Sequence, residues 1–227
     1  MGNINLSIQQ FILYMVALIF SLSVHESAHA WMSNRFGDDL ARLQGRISLN
    51  PVSHVDPIGT LLFPAIAFFT GAPLIGWAKP TPVNPLKWRN KRVANFWVSA
   101  AGAISNFIIA FVAGVIIRML YSTGVIDENL GLVNAGSTIA NGAIELLIVF
   151  FILNVALGVF NLLPIPPLDG SKVLASILPP SFESGIETLE RFGFILLFIA
   201  VFTGVLSVIF RFVMPLAWGL VFIGSRP

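Results

Sequence analysis

Residues 8–32 read IQQFILYMVALIFSLSVHESAHAWM. The stretch is apolar through Val24, apart from its leading glutamines, Tyr14 and two serines, and then turns to His25-Glu26-Ser27-Ala28-His29. A helix of this length covers the roughly 20 residues that a bilayer core demands. The charged end of the run has the pattern H-E-x-x-H. With 3.6 residues per turn, positions i and i+4 lie on one face about one turn apart, so both imidazoles can reach one metal ion. Glu26 is turned to the side, where it can meet a water without being a ligand. By composition alone the pattern would arise in about one such chain in a thousand. Ionisable groups inside a membrane are costly and mark function. The bland alternative is a polar cluster snorkelling to the interface.

Composition agrees with a membrane setting. The chain has 227 residues, 56% hydrophobic and 11% charged, with a mean hydropathy of +0.86. A soluble domain carries about 25% charged residues, so a soluble enzyme, a disordered chain and a nucleic-acid binder are all poor fits. The net charge of +2 is a small imbalance rather than a basic patch, and the absence of cysteine excludes disulfides and thiolate metal sites. Met1–Gln10 has no basic region, and the apolar run leads to His25 and Glu26 rather than to a small-residue cleavage site, so a cleavable signal peptide is not expected. The polar stretches are short enough to be connections, which predicts a single membrane-embedded domain over residues 1–227.

Four further apolar runs follow. Pro57–Ala78 is broken by Gly59, Pro64, Gly71, Pro73 and Gly76; Val93–Tyr121, Ile139–Leu163 and Phe192–Phe210 are continuous; Phe212–Ile223 is a short tail containing Pro215. The expected fold is an all-α polytopic membrane protein of about five to six transmembrane helices, with a re-entrant or extended segment near residues 57–85. Arg35, Arg42 and Arg46 follow the first run, and Lys79, Lys87, Arg89, Lys91 and Arg92 precede the third. The positive-inside tendency places both groups in the cytoplasm, so the second run enters and returns on one side. Such a segment is tolerated where its backbone is buried in protein or lines a wet cavity. Ser122–Thr138 carries Asp127 and Glu128 without Lys or Arg and suits the outer side; Arg118 is a mild exception.

A catalytic zinc takes three protein ligands and leaves one position open. His54, Asp56, Glu145 and Asp169 are the candidates for the third. Asp169 closes the stretch N-L-L-P-I-P-P-L-D-G at Asn161–Gly170, whose prolines cannot continue a helix. They force an extended segment after the fourth run, aim Asp169 back at the bundle, and leave Gly170 for the sharp exit. To share a metal with His25 and His29, Asp169 must lie at their depth. The first and fourth runs must then point the same way, the third opposite, and the second must be re-entrant, as the basic residues also require. His54 is expected beside the site rather than on the metal. Asn106 and Asn154 are expected to make interhelical hydrogen bonds, and Ala100–Ala103 a close-packing face. Glu145 has no obvious partner. The phenylalanines of the fifth run and tail are expected to face lipid.

These segments carry a resemblance. H-E-S-A-H at His25–His29, G-W-A-K-P-T-P-V-N-P at Gly76–Pro85, A-G-A-I-S-N at Ala101–Asn106 and the Asn161–Gly170 stretch resemble the site-2 protease family of intramembrane zinc metallopeptidases, in order and spacing, over about residues 15–175. The resemblance implies one Zn2+ per chain bound by His25, His29 and Asp169, with Glu26 as general base. It implies that Asn161 polarises the substrate carbonyl or stabilises its oxyanion. Gly102-Ala103 stands where the family has Gly-Pro, a departure expected to touch helix packing near Asn106 and not the metal. The chain resembles a short form without PDZ or CBS domains. The implied activity is hydrolysis of peptide bonds within or next to transmembrane segments, in regulated intramembrane proteolysis. The expected partners are a transmembrane protein substrate and the lipid bilayer, with no nucleic acid. The expected location is multi-pass in the plasma membrane, with the site toward the cytoplasm. A substrate helix must unwind before it can be cut, and Gly71–Pro85 is a candidate edge to pair with it. A metal-ion transporter and an inactive scaffold are the competing functions. The single three-residue site with a poised glutamate disfavours the first, and the intact Glu26 disfavours the second.

Overall fold

A computed structural model describes residues 2–71, 76–127, 129–133 and 138–224; Pro73 and Glu128, used above, lie outside them. The helices are α1 (Gly2–Arg35), α2 (Leu40–Leu43), α3 (Phe63–Thr70), α4 (Lys91–Ser122), α5 (Thr138–Asn161), α6 (Asp169–Ile177), α7 (Glu183–Arg191), α8 (Gly193–Phe202) and α9 (Val205–Val221). Among the described residues there is no strand.

Three helices, α1, α4 and α5, are long and apolar enough to cross a bilayer. The pair α8 and α9 makes a fourth crossing if taken as one span bent by 68°. An all-α polytopic membrane fold is therefore present, with fewer crossings among the described residues than the five to six expected from the apolar runs. The apolar run Phe192–Phe210 is unbroken in hydropathy, but the chain turns at Gly204 (φ +78°), a left-handed conformation that glycine adopts without strain. The 10 residues of α8 and the 17 of α9 are each short of a span.

The three long helices pack through small residues. Helix α4 lies between the others and buries Ala94, Ala101, Ala110, Ala113 and Gly114, which let the neighbouring backbones approach closely. Their directions follow from the contacts. His29 meets Val98, and His25 meets Asn106, so α1 and α4 are antiparallel. Asn106 meets Asn154 while Gly114 packs on Phe151, so α5 is antiparallel to α4. Ser21 meets Asn154, so α1 and α5 share a level, and both run toward the same end, here called the site end. This is the arrangement the depth argument demanded. Ile8, Ile12, Val16 and Phe20, spaced by four along α1, are exposed, as are Val208, Phe212, Leu216 and Leu220 of α9. Such stripes face lipid in a membrane-spanning fold.

The second apolar run goes out and back. It leaves the site end at Asp56, whose Oδ1 caps a wide turn by accepting from Ile58 N (3.0 Å) and Gly59 N (2.7 Å). Phe68 and Phe69 then pack on Phe11 of α1, with ring centroids 5.3 and 4.9 Å apart. Phe11 precedes His25 by 14 residues, about 21 Å along the helix axis. The chain is back beside its start by Trp77, whose N–H donates to Gly59 O (3.2 Å), and Lys79, whose N–H donates to His54 O (2.8 Å). A Cβ on Gly59 would lie 2.5 Å from the Trp77 ring, so only glycine lets the two arms close. Both ends of the segment therefore stand at one end of α1, as a re-entrant segment requires.

At the far end, Arg118 donates from Nη1 to Val221 O (2.8 Å), an orphan carbonyl at the end of α9. The basic residue that looked out of place for the outer side thus closes a helix terminus.

Candidate metal centre

The last turns of α1 carry His25, Glu26 and His29 on the side facing α4 and the returning re-entrant segment. His25 and His29 are buried. The second ligand source is α6, whose first residue is Asp169. Leu168, extended at ψ 154°, ends the proline stretch and turns Asp169 toward α1. Gly170 is required by space rather than by dihedral angle: a Cβ there would lie 2.2 Å from Leu162 O. The other end of α6 is anchored by Arg92, which donates from Nε to Ser176 O (2.6 Å) and from Nη2 to Ile177 O (2.7 Å) and Leu178 O (3.1 Å). Helix α6 is thus clamped to α4 at its C-terminal end, where a cation also suits the helix dipole.

His25 Nε2, His29 Nε2 and Asp169 Oδ2 converge. The nitrogens are 3.0 Å apart, and the carboxylate oxygen is 3.2 Å from the first and 3.1 Å from the second. The outward nitrogens decide what this cluster is. His29 Nδ1 lies 2.6 Å from Val98 O, a carbonyl that can only accept, so Nδ1 carries the proton. His25 Nδ1 lies 2.7 Å from Asn106 Oδ1. The amide of Asn106 is oriented in turn, since its Nδ2 donates to Asn154 Oδ1 (2.8 Å) while Asn154 Nδ2 donates to Phe150 O and Ser21 Oγ, each at 2.8 Å. His25 therefore also carries its proton on Nδ1. With Nδ1 carrying the proton in each neutral ring, both Nε2 atoms would present lone pairs toward each other and toward a carboxylate oxygen. Three converging lone pairs repel unless a cation lies between them. Edges of 3.0–3.2 Å approach the roughly 3.3 Å edge of a tetrahedron with zinc–nitrogen bonds of about 2.0–2.1 Å. The donor set, two imidazoles and a carboxylate, is that of a catalytic zinc site.

The relay Ser21–Asn154–Asn106–His25 is fully buried beyond the imidazole and crosses three helices. The two asparagines make the interhelical bonds expected of them, and Asn106 also sets the ring orientation and tautomer of His25, as partners behind a metal ligand do. Gly102 corrects the sequence reading. A Cβ there would lie 2.5 Å from His25 Cε1, His25 Nε2 and His29 Nε2. The A-G-A-I-S-N stretch thus packs directly on the two imidazoles of the candidate centre, and Gly102 is more than part of a close-packing face.

Glu26 is half-buried, and its Oε2 accepts from Thr81 N at 2.8 Å, while Thr81 Oγ1 donates to Glu26 O at 2.9 Å. The returning re-entrant arm thus meets the glutamate of H-E-x-x-H. Residues 76–84 are extended without forming a strand. The N–H groups of Trp77, Lys79 and Thr81 all point inward, to Gly59 O, His54 O and Glu26. Asn161 ends α5, half-buried, with Nδ2 donating to Leu157 O (3.0 Å).

The other candidate ligands are elsewhere. His54 is buried with Nε2 donating to Ser48 O (2.8 Å) and Nδ1 without a partner; burial holds its pKa below the ordinary value. Asp56 caps the wide turn, and Glu145 lies near the far end of α5. Among the described residues the cluster of His25, His29 and Asp169 is the one group of three such side chains placed to hold a metal ion.

Membrane-crossing helices around a buried two-histidine, one-carboxylate centre define a membrane-embedded metallohydrolase. Residues 13–200 match the model of peptidase family M50, and the chain belongs to that family. This bears out the resemblance to the site-2 proteases. The chain is 38% identical over 180 residues to "Putative zinc metalloprotease YwhC" of Bacillus subtilis (strain 168), covering 79% of this chain and 75% of that protein. It is 29% identical over 198 residues to "Putative zinc metalloprotease Rip2" of Mycolicibacterium smegmatis, covering 87% of this chain and 69% of that protein. No solved structure matches the chain.

Proposed function

We propose that His25, His29 and Asp169 hold one zinc ion and that the protein cuts peptide bonds within or next to transmembrane segments of membrane proteins. The observation that carries this reading is the convergence of His25 Nε2, His29 Nε2 and Asp169 Oδ2, with each Nδ1 held by a partner on the opposite side of its ring. The family and the names of the relatives favour zinc over other cations. Bound zinc supplies a Lewis acid for a water and for the substrate carbonyl at neutral pH. Glu26 takes the proton of that water at a carboxylate oxygen and passes it to the leaving amine nitrogen. Asn161 turns its Nδ2 from Leu157 O to the carbonyl oxygen where charge develops. Eight basic residues from Arg35 to Arg92 gather in the connections at the site end, and the described part of residues 123–133 at the far end has none. This supports a site opening toward the cytoplasm. A single domain over residues 1–227 suffices for the reading.

The test is zinc stoichiometry of the purified protein together with cleavage of membrane-anchored segments by wild type and Glu26→Gln. One zinc in both, with cleavage in the wild type alone, is the expected result. Equal cleavage by both removes Glu26 as the base. Zinc binding with no segment cut by the wild type would return the transporter and scaffold readings.

A further inference from the structure

We propose that Arg46 is a positioning residue for the general base, acting through the backbone of residues 79–81. This rests on the reading of Glu26 as that base. Arg46 follows α2 in the first connection, and it is only 4% exposed. All its hydrogen-bond partners are main-chain carbonyls. Nη1 donates to Ser53 O, and Nη2 donates to Lys79 O and to Pro80 O, the last at 2.9 Å. A buried guanidinium is expensive where its donors go unsatisfied; here Nε is buried without a partner, and Nη1 and Nη2 join two chain segments far apart in sequence, the entry and the return of the re-entrant arm.

The next residue along the return is Thr81, whose N–H meets Glu26 Oε2 at 2.8 Å. Pro80 and Pro82 have no N–H, so Thr81 supplies the sole main-chain donor of the triplet, and the prolines limit its backbone freedom. One side of residues 79–81 is therefore held by Arg46, and the other holds Glu26. Without Arg46 the carbonyls of Ser53, Lys79 and Pro80 lose their partner, and the arm can shift with the glutamate. A misplacement near 1 Å of a reacting group can cost about a hundredfold in rate. The guanidinium suits this task because its planar fork spans carbonyls on two segments, which an ammonium cannot do.

The experiment uses the full chain in proteoliposomes with a membrane-anchored reporter. Arg46→Ala should lower kcat about a hundredfold with KM and zinc content unchanged, and Arg46→Lys should fall between it and wild type. A cleft of about 350 Å³ opens beside Arg46, lined also by Gln44, Ser53, Lys79, Pro80 and Pro82. Added guanidinium ion should enter there and restore part of the kcat of Arg46→Ala, while equal sodium chloride should not. Combined with Thr81→Pro, which removes both the N–H and the hydroxyl that Thr81 donates to Glu26, Arg46→Ala should add little, because both act on the contact between residue 81 and Glu26. Wild-type kcat in Arg46→Ala overturns the proposal, as do additive losses with Thr81→Pro, or a loss that follows zinc and ignores guanidinium. Should Arg46→Ala fail to fold, wild-type kcat in Arg46→Lys overturns it equally. Glu26→Gln runs alongside: if it cleaves normally, the base assignment has failed; if it is silent while the Arg46 variants are fully active, only the role of Arg46 has failed.

Discussion

Replacing Gly102 by alanine puts one methyl group where the metal ligands are. The added Cβ would lie 2.5 Å from His25 Cε1, His25 Nε2 and His29 Nε2. Carbon contacts relax only near 3.5–4.0 Å, so about 1 Å must be found. Helix α4 cannot retreat to provide it. Val98, which holds His29, and Asn106, which holds His25, sit four residues either side of Gly102 on that same helix. If α4 moves away, it either breaks both tethers or drags the imidazoles with it. Ligand positions tolerate only about 0.2 Å, and losing a single partner behind a ligand typically costs 10–100-fold in affinity. With both histidines displaced, Gly102→Ala should weaken zinc binding at least about a hundredfold, near 2.8 kcal/mol. Chelator competition on the purified protein measures this directly. Gly142→Ala serves as the control, because a Cβ there meets nothing within 4 Å, and it should bind zinc as wild type does. If Gly102→Ala binds zinc within about threefold of wild type, the placement of α4 against the imidazoles is wrong, and the affinity argument built on it fails.

Asn106→Ala leaves the His25 Nδ1 proton and Asn154 Oδ1 buried without partners; zinc affinity should drop about 10–100-fold and stability by about 1–3 kcal/mol per orphaned group, read by chelator competition and by thermal unfolding in detergent. Arg92→Ala frees three carbonyls at the end of α6; because α6 carries Asp169, zinc should bind more weakly while the helix content seen by circular dichroism stays near wild type. His54 gives a pH dependence. Its folded pKa lies below the ordinary 6.5, so the unfolded chain binds the proton more tightly. The stability it contributes is full above pH 6.5 and is lost as pH falls below that value. His54→Gln, which keeps a donor for Ser48 O, should flatten this acid-side loss when melting temperatures at pH 5.5 and 7.5 are compared.

The residues that sequence reading placed well are those whose signal is local. H-E-x-x-H declares its geometry within one helical turn, and the proline stretch before Asp169 declares its own end. The re-entrant path was legible because basic residues flank both of its ends, a cost that any bilayer imposes. What escaped the sequence depends on which segments meet. Nothing around Asn106 says that its carbonyl faces His25, nor does the Pro80–Pro82 stretch say that its one N–H, on Thr81, meets Glu26. Gly102 could have been singled out as the glycine one helical turn before Asn106, but its role needed the distance to the imidazoles. The bend within the fifth run was not legible because hydropathy runs straight through Gly204, where the backbone turns.

The candidate metal centre joins side chains from α1 and α6, far apart in the order of the helices. His25 and His29 are present as soon as α1 has been made, whereas Asp169 arrives only after the re-entrant arm, α4 and α5 have followed. During synthesis the first helix therefore stands in the membrane with a pair of imidazoles and a glutamate but without its third ligand. The three groups of the candidate centre can come together only once α6 has docked on α4.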